Sequence, residues 1–223
     1  MTVLNIELLS GKAEAIRAAC ELLSAGNSGA AKQLLVEEYR IDPTPKPPSN
    51  YKGIRIQEEA LAVAPKRRAP SPRRLVELHT RDGYVDRYTG APLVAPVVLK
   101  FLGHPEHGPL RSALPYHVNG GRGGPAARGA RAVCHQAGFE LFATYEHVRP
   151  LRVGGSDDLY NLVTCSVDVN YEKGTETWEP HDAPSPIPGW DGLTGWWLDF
   201  TEGPDFGWFR ELRPWRAALL QFR

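Results

Sequence analysis

The sequence predicts an α+β protein in which a helical hairpin precedes a single larger domain. Three observations favour this class: apolar residues recur at helical spacing near the N-terminus, a strand–loop–strand–helix pattern occupies residues 141–173, and all six tryptophans lie in the C-terminal part. We expect the hairpin in residues 1–41, a linker in 42–72 and the main domain in 73–223, which is long enough to bury a core.

The N-terminal hairpin is predicted from one apolar face on each of two short segments. In residues 11–26 the apolar residues at helical spacing are Ala15, Ile16, Ala19, Leu22 and Leu23. Gly26 and Asn27 end this helix, and we expect Ser28 to cap a second helix that runs to about Tyr39. The hairpin either docks on the main domain or holds a partner, which is a second copy of the chain or another protein.

Residues 42–72 are rich in proline and carry the basic run at 66–68, so an extended, exposed linker is expected. Although the formal net charge is zero, basic residues outnumber acidic ones between 46 and 87, and residues 174–209 contain acids but no Lys or Arg. Such asymmetry is a weak indication of a polyanion-binding face. It is equally expected of a solubilising linker.

The main domain begins with a predicted helix after Pro72 that leads into a turn at Asp82-Gly83. Residues 103–131 have the Gly, Pro and His content of loops, and a further helix is expected over about 129–139. The tryptophans are expected to pack in the core rather than to stack on bases, because their segment is acidic.

Residues 144–173 carry the informative motif, TYEHVRPLRVGGSDDLYNLVTCSVDVNYEK. Glu146 and His147 end a strand-like run over 141–148, and a Gly-Gly loop with two aspartates follows. Asn161 opens a second strand-like stretch, and Asn170 is expected at the start of a short helix. This order of elements would bring a carboxylate, an imidazole and an amide around one small site.

This segment resembles the ββα-metal core of HNH endonucleases, and residues 81–90 (RDGYVDRYTG) resemble the lead-in upstream of it. The resemblance implies a compact ββα core, with His147 as the base that activates water and Asn161 orienting it. It also implies that Glu146 and Asn170 bind one divalent cation. Two hard oxygen ligands suit Mg²⁺ or Mn²⁺ better than zinc.

The chain departs from the family pattern at the positions of the two Cys-x-x-Cys pairs that commonly hold a structural zinc. These positions are Asp86, Thr89, Ser166 and Val169. No structural zinc is therefore expected, and packing has to replace its contribution. The last residue of the motif is Asn170, so the chain is identified as an HNN variant.

The resemblance implies hydrolysis of a nucleic-acid phosphodiester, with DNA favoured over RNA. Basic residues expected near phosphates are Lys173, Arg149, Arg152 and Arg87. The histidines His117 and His135 lie outside the motif but are weaker candidates to approach the site. An RNA-directed or toxin-like nuclease and a non-catalytic nucleic-acid-binding module remain as alternatives, and restriction or phage defence stays open as a role.

The three cysteines are scattered and form no CxxC pair, which indicates a reducing, cytoplasmic setting without disulfides. No run of 18 or more apolar residues occurs, so no membrane association is expected. The N-terminal residues also lack the pattern of a secretion signal.

Overall fold

The computed structural model describes residues 5–39, 70–115, 135–202 and 212–223. In these residues the chain forms eight α-helices and one two-stranded antiparallel sheet, which confirms a mixed α+β architecture. Most of the proline-rich linker, the first part of the helix expected over 129–139, and His117 lie outside the described residues.

The N-terminal hairpin consists of α1 (Ile6–Ser24) and α2 (Ser28–Tyr39). The amide oxygen of Asn27 accepts a hydrogen bond from Ala30 N at 3.1 Å, so Asn27 caps α2 rather than Ser28. The apolar faces of both helices belong to the same buried cluster as the main domain. Lys12 also pairs with Glu140 of the main domain at 2.6 Å, so the hairpin is docked there.

The largest cluster of buried side chains lies among the helices of the main domain. These helices are α3 (Pro72–Arg81), α4 (Pro96–Leu102), α5 (Ala137–Glu140), α7 (Thr194–Phe200) and α8 (Arg213–Leu219). The tryptophans Trp190, Trp197 and Trp215 are buried in this cluster, as expected. Trp208 lies outside the described residues.

The sheet pairs β1 (Ala143–His147) with β2 (Leu162–Ser166), and His147 lies opposite Leu162. Helix α6 (Val167–Lys173) follows β2 directly, because the hydroxyl of Ser166 caps it by accepting from Val169 N at 3.2 Å. Asn170 therefore lies in the middle of α6 rather than at its start. The order of strand, loop, strand and helix is the one that the sequence predicted.

Neighbouring side chains of a strand point to opposite faces of the sheet, and this divides the residues of β1. Glu146 faces α6, where it pairs with Lys173. His147 shares the other face with Tyr145, whose ring centre lies 6.2 Å from the imidazole centre. On that second face the hydroxyl of Thr164 lies 2.9 Å from Nδ1 of His79 on α3.

The outer edge of β2 is covered by the turn at residues 82–92, which we call the edge turn. Asp82 and Asp86 each accept a backbone N–H of β2 at 2.7 Å, from Thr164 and Ser166 respectively. Arg87 N donates to Thr164 O at 2.9 Å. Side-chain carboxylates thus complete the pairing that a third strand would otherwise supply.

The edge turn also joins the four positions that correspond to the zinc-binding cysteines of the HNH pattern that the sequence resembles. Asp86 binds Ser166 N through one oxygen and Thr89 N, at 3.2 Å, through the other, and Ser166 in turn holds Val169. Trp178 adds an edge-on contact to the ring of Tyr88, with ring centres 5.7 Å apart. Hydrogen bonds centred on one buried carboxylate, with this aromatic contact, hold the region together.

Candidate active site

His147 is the last residue of β1 and its side chain is almost fully buried. Its Nε2 lies 2.8 Å from Oδ1 of Asp157, whose own side chain is 66% exposed. A carboxylate only accepts hydrogen bonds, so this contact places the imidazole proton on Nε2 and leaves Nδ1 as the basic nitrogen. Sequence reasoning did not single out Asp157, although it belongs to the Gly-Gly-Ser-Asp-Asp loop.

Asn161 fixes the loop that carries Asp157. Its side chain accepts from Arg149 N at 2.9 Å and donates to Arg149 O at 3.0 Å and Ser156 O at 2.7 Å. The backbone adds a bond from Val148 N to Asn161 O at 2.9 Å. One buried amide therefore satisfies several backbone groups of the loop and fixes the position of the imidazole's partner.

The two glycines of this loop are required by its shape. Gly154 has a φ of +87°, a conformation that strains other residues. A Cβ on Gly155 would collide with the carbonyl oxygen of Arg149 and would lie 2.9 Å from the side-chain nitrogen of Asn161. We call residues 148–161 the site loop. Its glycine turn is thus closely packed against Arg149 and Asn161 near the two ends of the loop.

Glu146 and Lys173 form an ion pair on the opposite face of β1. Lys173 is only 1% exposed, and its Nζ donates to Glu146 Oε1 at 3.0 Å and to His147 O at 2.9 Å. The lysine expected at a phosphate thus lies inside the protein, where it neutralises the carboxylate and holds the end of β1. A buried amine needs such a partner because burial of an isolated charge is costly.

Asn170 lies on α6 and donates from Nδ2 to Tyr145 O at 2.9 Å. Asn170 and Lys173 of α6 thus contact neighbouring residues of β1, Tyr145 and Glu146. The hydroxyl of Tyr88 is buried without a hydrogen-bond partner among the described residues. Burial raises the pKa of Tyr88, and the charges of Cys165, Glu146 and Asp86 add to this effect.

These groups fit a hard divalent cation in the type of their donor atoms. A carboxylate, an amide and a phenol all offer oxygen, which Mg²⁺ and Mn²⁺ prefer. Lys173 occupies one oxygen of Glu146, so a cation would use the other. No group of three or more His, Cys, Asp or Glu side chains suited to a metal occurs in the described ranges, so water and phosphate would complete the coordination.

The remaining predicted contacts divide into two groups. Arg149 and Arg152 are exposed on the site loop, and Arg149 Nε donates to Val153 O at 3.0 Å. Arg87 is instead held within the edge turn, where it donates to His181 O at 2.6 Å and pairs with Asp82 and Asp182. The structure therefore brings two of the four basic residues to the site loop.

His135 lies away from the site, in contact with the N-terminal hairpin. Its ring packs edge-on against Tyr39, with ring centres 4.7 Å apart, and its Nδ1 accepts from Ala137 N at 3.0 Å. Burial lowers the pKa of His135 to about 4, and the charge of Lys12 contributes. This histidine packs the hairpin interface.

Comparison with known proteins identifies no relative: no family model, no curated protein and no solved structure matches the chain. Among the described residues, no helix is long and apolar enough to cross a membrane. The functional argument therefore rests on the geometry of the site and on the motif in the sequence.

Proposed function

We propose that this chain is a metal-dependent endonuclease of the HNH type that hydrolyses phosphodiester bonds, with DNA as its substrate. The observation that carries the proposal is the His147–Asp157 pair at 2.8 Å, held at the end of a strand–loop–strand–helix unit. In this pair the imidazole has a fixed orientation, which a general base requires.

His147 is the base in this proposal. Asp157 accepts a hydrogen bond from Nε2–H, so the proton stays on Nε2. Nδ1 is then available to take a proton from a water molecule as that water attacks phosphorus. The carboxylate stabilises the positive charge that forms on the ring, as in other carboxylate–imidazole pairs. Asn161 maintains this geometry through its hydrogen bonds across the site loop.

Glu146 and Asn170 are the proposed ligands of Mg²⁺ or Mn²⁺. When bound, the cation neutralises charge on a nonbridging phosphate oxygen and on the leaving oxygen. The proposed ligands lie on the face of β1 opposite to the side chain of His147. Lys173 holds the Glu146 side chain in place through their contact at 3.0 Å.

The proposal is tested by nicking of supercoiled plasmid with Mg²⁺ or Mn²⁺. We expect His147→Ala to lower the rate by roughly 10²–10⁴, the usual contribution of a general base. The matched control is His107→Ala, which removes an exposed histidine from a loop outside the motif and should leave the rate unchanged. RNA and single-stranded DNA supplied in parallel define the substrate.

Equal rates in the wild type and His147→Ala would overturn the proposed role of this site. Binding of nucleic acid without cleavage under any metal condition would favour the non-catalytic module instead. A stronger reaction with RNA than with DNA would assign the alternative nuclease class.

A further inference from the structure

The site loop, whose Asp157 contacts the proposed base His147, carries two exposed apolar side chains. Tyr160 is 80% exposed and Val153 is 49% exposed. Tyr160 immediately precedes Asn161, and Asp157 lies three residues before it, so the ring belongs to the segment that positions His147. The Tyr160 ring is therefore open to a ligand and does not pack in the core.

The Tyr160 ring is held at its edge and open at its faces. The hydroxyl of Ser156 donates to the Tyr160 hydroxyl at 3.2 Å, which anchors the ring to the loop. Asn161 in turn fixes Ser156, because its Nδ2 donates to the backbone oxygen of Ser156 at 2.7 Å. A ring held in this way loses little conformational freedom when a flat ligand stacks on it.

Basic side chains lie on the site loop and in the groove beside Leu159, the residue before Tyr160. Arg149 and Arg152 are on the site loop itself, and a groove of about 460 Å³ lies between Leu159 and the start of α3, where Arg73 and Arg74 line it. Acidic groups of this surface are Glu77, Asp157 and Asp158, and Asp157 is bound to His147. An exposed ring on a loop that carries two arginines, next in sequence to a groove lined by two more, suits a ligand with flat bases and a charged backbone.

We propose that Tyr160 stacks on an unpaired base beside the phosphate that is cleaved, so that the chain prefers nucleic acid with unpaired nucleotides over intact duplex. Stacking on the ring requires a bare base face, and in a duplex each base face is covered by its neighbours. The arginines of the groove and the site loop would hold the phosphates on either side. This inference rests on the proposed function and specifies the substrate of that same site.

The test measures binding without cleavage, in EDTA, by fluorescence anisotropy of three labelled DNAs: a single strand, a duplex with a three-nucleotide bubble and a fully paired duplex. The wild type should bind the first two about tenfold more tightly than the third. Tyr160→Ala should remove this preference with little effect on the paired duplex, and Tyr160→Phe should retain it. Phe222→Ala is the control, since it removes another exposed ring from the C-terminal end.

A second readout places the base itself. A 2-aminopurine in the bubble should lose fluorescence on binding to the wild type and Tyr160→Phe, but not to Tyr160→Ala. Equal affinity of the wild type for all three DNAs, or an unchanged preference in Tyr160→Ala, would overturn the inference. If Mg²⁺-dependent cleavage by the wild type and its loss in His147→Ala persist in that case, the proposed function stands and only the stacking role fails.

Discussion

The edge turn and the site loop both present an aspartate to β1 or β2, yet the two carboxylates are in opposite environments. Asp86 of the edge turn is 1% exposed and accepts from Tyr88 N, Thr89 N and Ser166 N. Asp157 of the site loop is largely exposed and meets a single partner, the imidazole of His147. The first region is saturated with internal hydrogen bonds, whereas the second retains capacity to bind a ligand.

The pKa values of Asp86 and Asp168 show how hydrogen bonds offset the effect of burial on a carboxyl group. Burial raises the pKa of Asp86, and hydrogen bonds from Ser166, Tyr88 and Thr89 oppose that rise. Asp168, in the first turn of α6, is a half-buried acid without this compensation, since its Oδ1 has no hydrogen-bond partner among the described residues. The comparison indicates that the number of hydrogen-bond donors around a carboxylate, and not its burial alone, decides how far its pKa rises.

The substitution with the largest expected effect is Asp86→Ala, which should lower the stability of the fold. Asp86→Ala would leave two buried N–H groups, of Tyr88 and Ser166, and the half-buried N–H of Thr89 without acceptors, and each buried group costs about 1–3 kcal/mol. We expect a loss of about 3 kcal/mol in the free energy of unfolding, because partial relaxation recovers some of that cost. Urea denaturation followed by tryptophan fluorescence measures it.

Asp86→Asn is the matched variant for that prediction. It keeps one acceptor oxygen but turns an N–H₂ group toward a backbone N–H, so its stability should fall between those of the wild type and Asp86→Ala. A loss below about 1 kcal/mol in Asp86→Ala would contradict the view that this carboxylate holds the region together.

Much of the fold was predictable because it depends on local pattern. The helical periodicity of residues 11–39 and the strand-like runs around the Gly-Gly loop correspond to α1, α2, β1 and β2. The cap of α2 was wrong by one residue, since Asn27 and Ser28 are both good caps and only the backbone geometry selects between them. The position of Asn170 was also wrong, because Ser166 starts α6 earlier than expected.

The site was harder to predict because its contacts depend on burial and on the faces of a strand. A lysine is usually exposed, so the pattern gave no reason to expect Lys173 in the interior with Glu146. Two adjacent aspartates, Asp157 and Asp158, offered no signal to choose the partner of His147. The alternation of side chains along β1 was an available signal that Glu146 and His147 face opposite sides.

The second prediction concerns pH and Asp168. Burial raises the pKa of Asp168 to about 7, with Glu140 and Glu172 adding to the rise and Lys12 opposing it. The folded pKa is above the ordinary value of 3.8 for an aspartate, so the protein is fully stable with respect to this group below about pH 4 and loses that stability as pH rises through about 7. The wild type should therefore lose stability between about pH 4 and 7 through this group.

Asp168→Asn removes the charge and should flatten that dependence. One pKa unit corresponds to about 1.4 kcal/mol, and partial exposure reduces the total, so we expect the variant to be about 2 kcal/mol more stable than the wild type at pH 8. Thermal unfolding between pH 5 and 8 measures this difference. Asp158→Asn, the same change at an exposed loop position, should follow the wild type; identical pH curves for Asp168→Asn and the wild type would refute the assignment.

The smallest effect is expected at Asp157, and it should appear in catalysis rather than in stability. Removal of an exposed carboxylate changes the free energy of unfolding by no more than about 0.5 kcal/mol. Without it the imidazole loses its fixed proton and orientation, and misplacement of a catalytic group commonly lowers the rate. We expect Asp157→Ala to lower kcat for plasmid nicking roughly tenfold, with KM within about twofold, since the arginines still hold the phosphates.

Asp157→Asn sharpens this prediction because its amide oxygen can still accept from Nε2. It should recover part of the rate lost in Asp157→Ala, whereas Asp158→Ala, next in sequence but without contact to His147, should behave as the wild type. If Asp157→Ala unfolds as readily as Asp86→Ala, or if Asp158→Ala is equally slow, the division between a structural and a catalytic aspartate fails. The exposure of Asp157 would then reflect only its place on the surface of the loop.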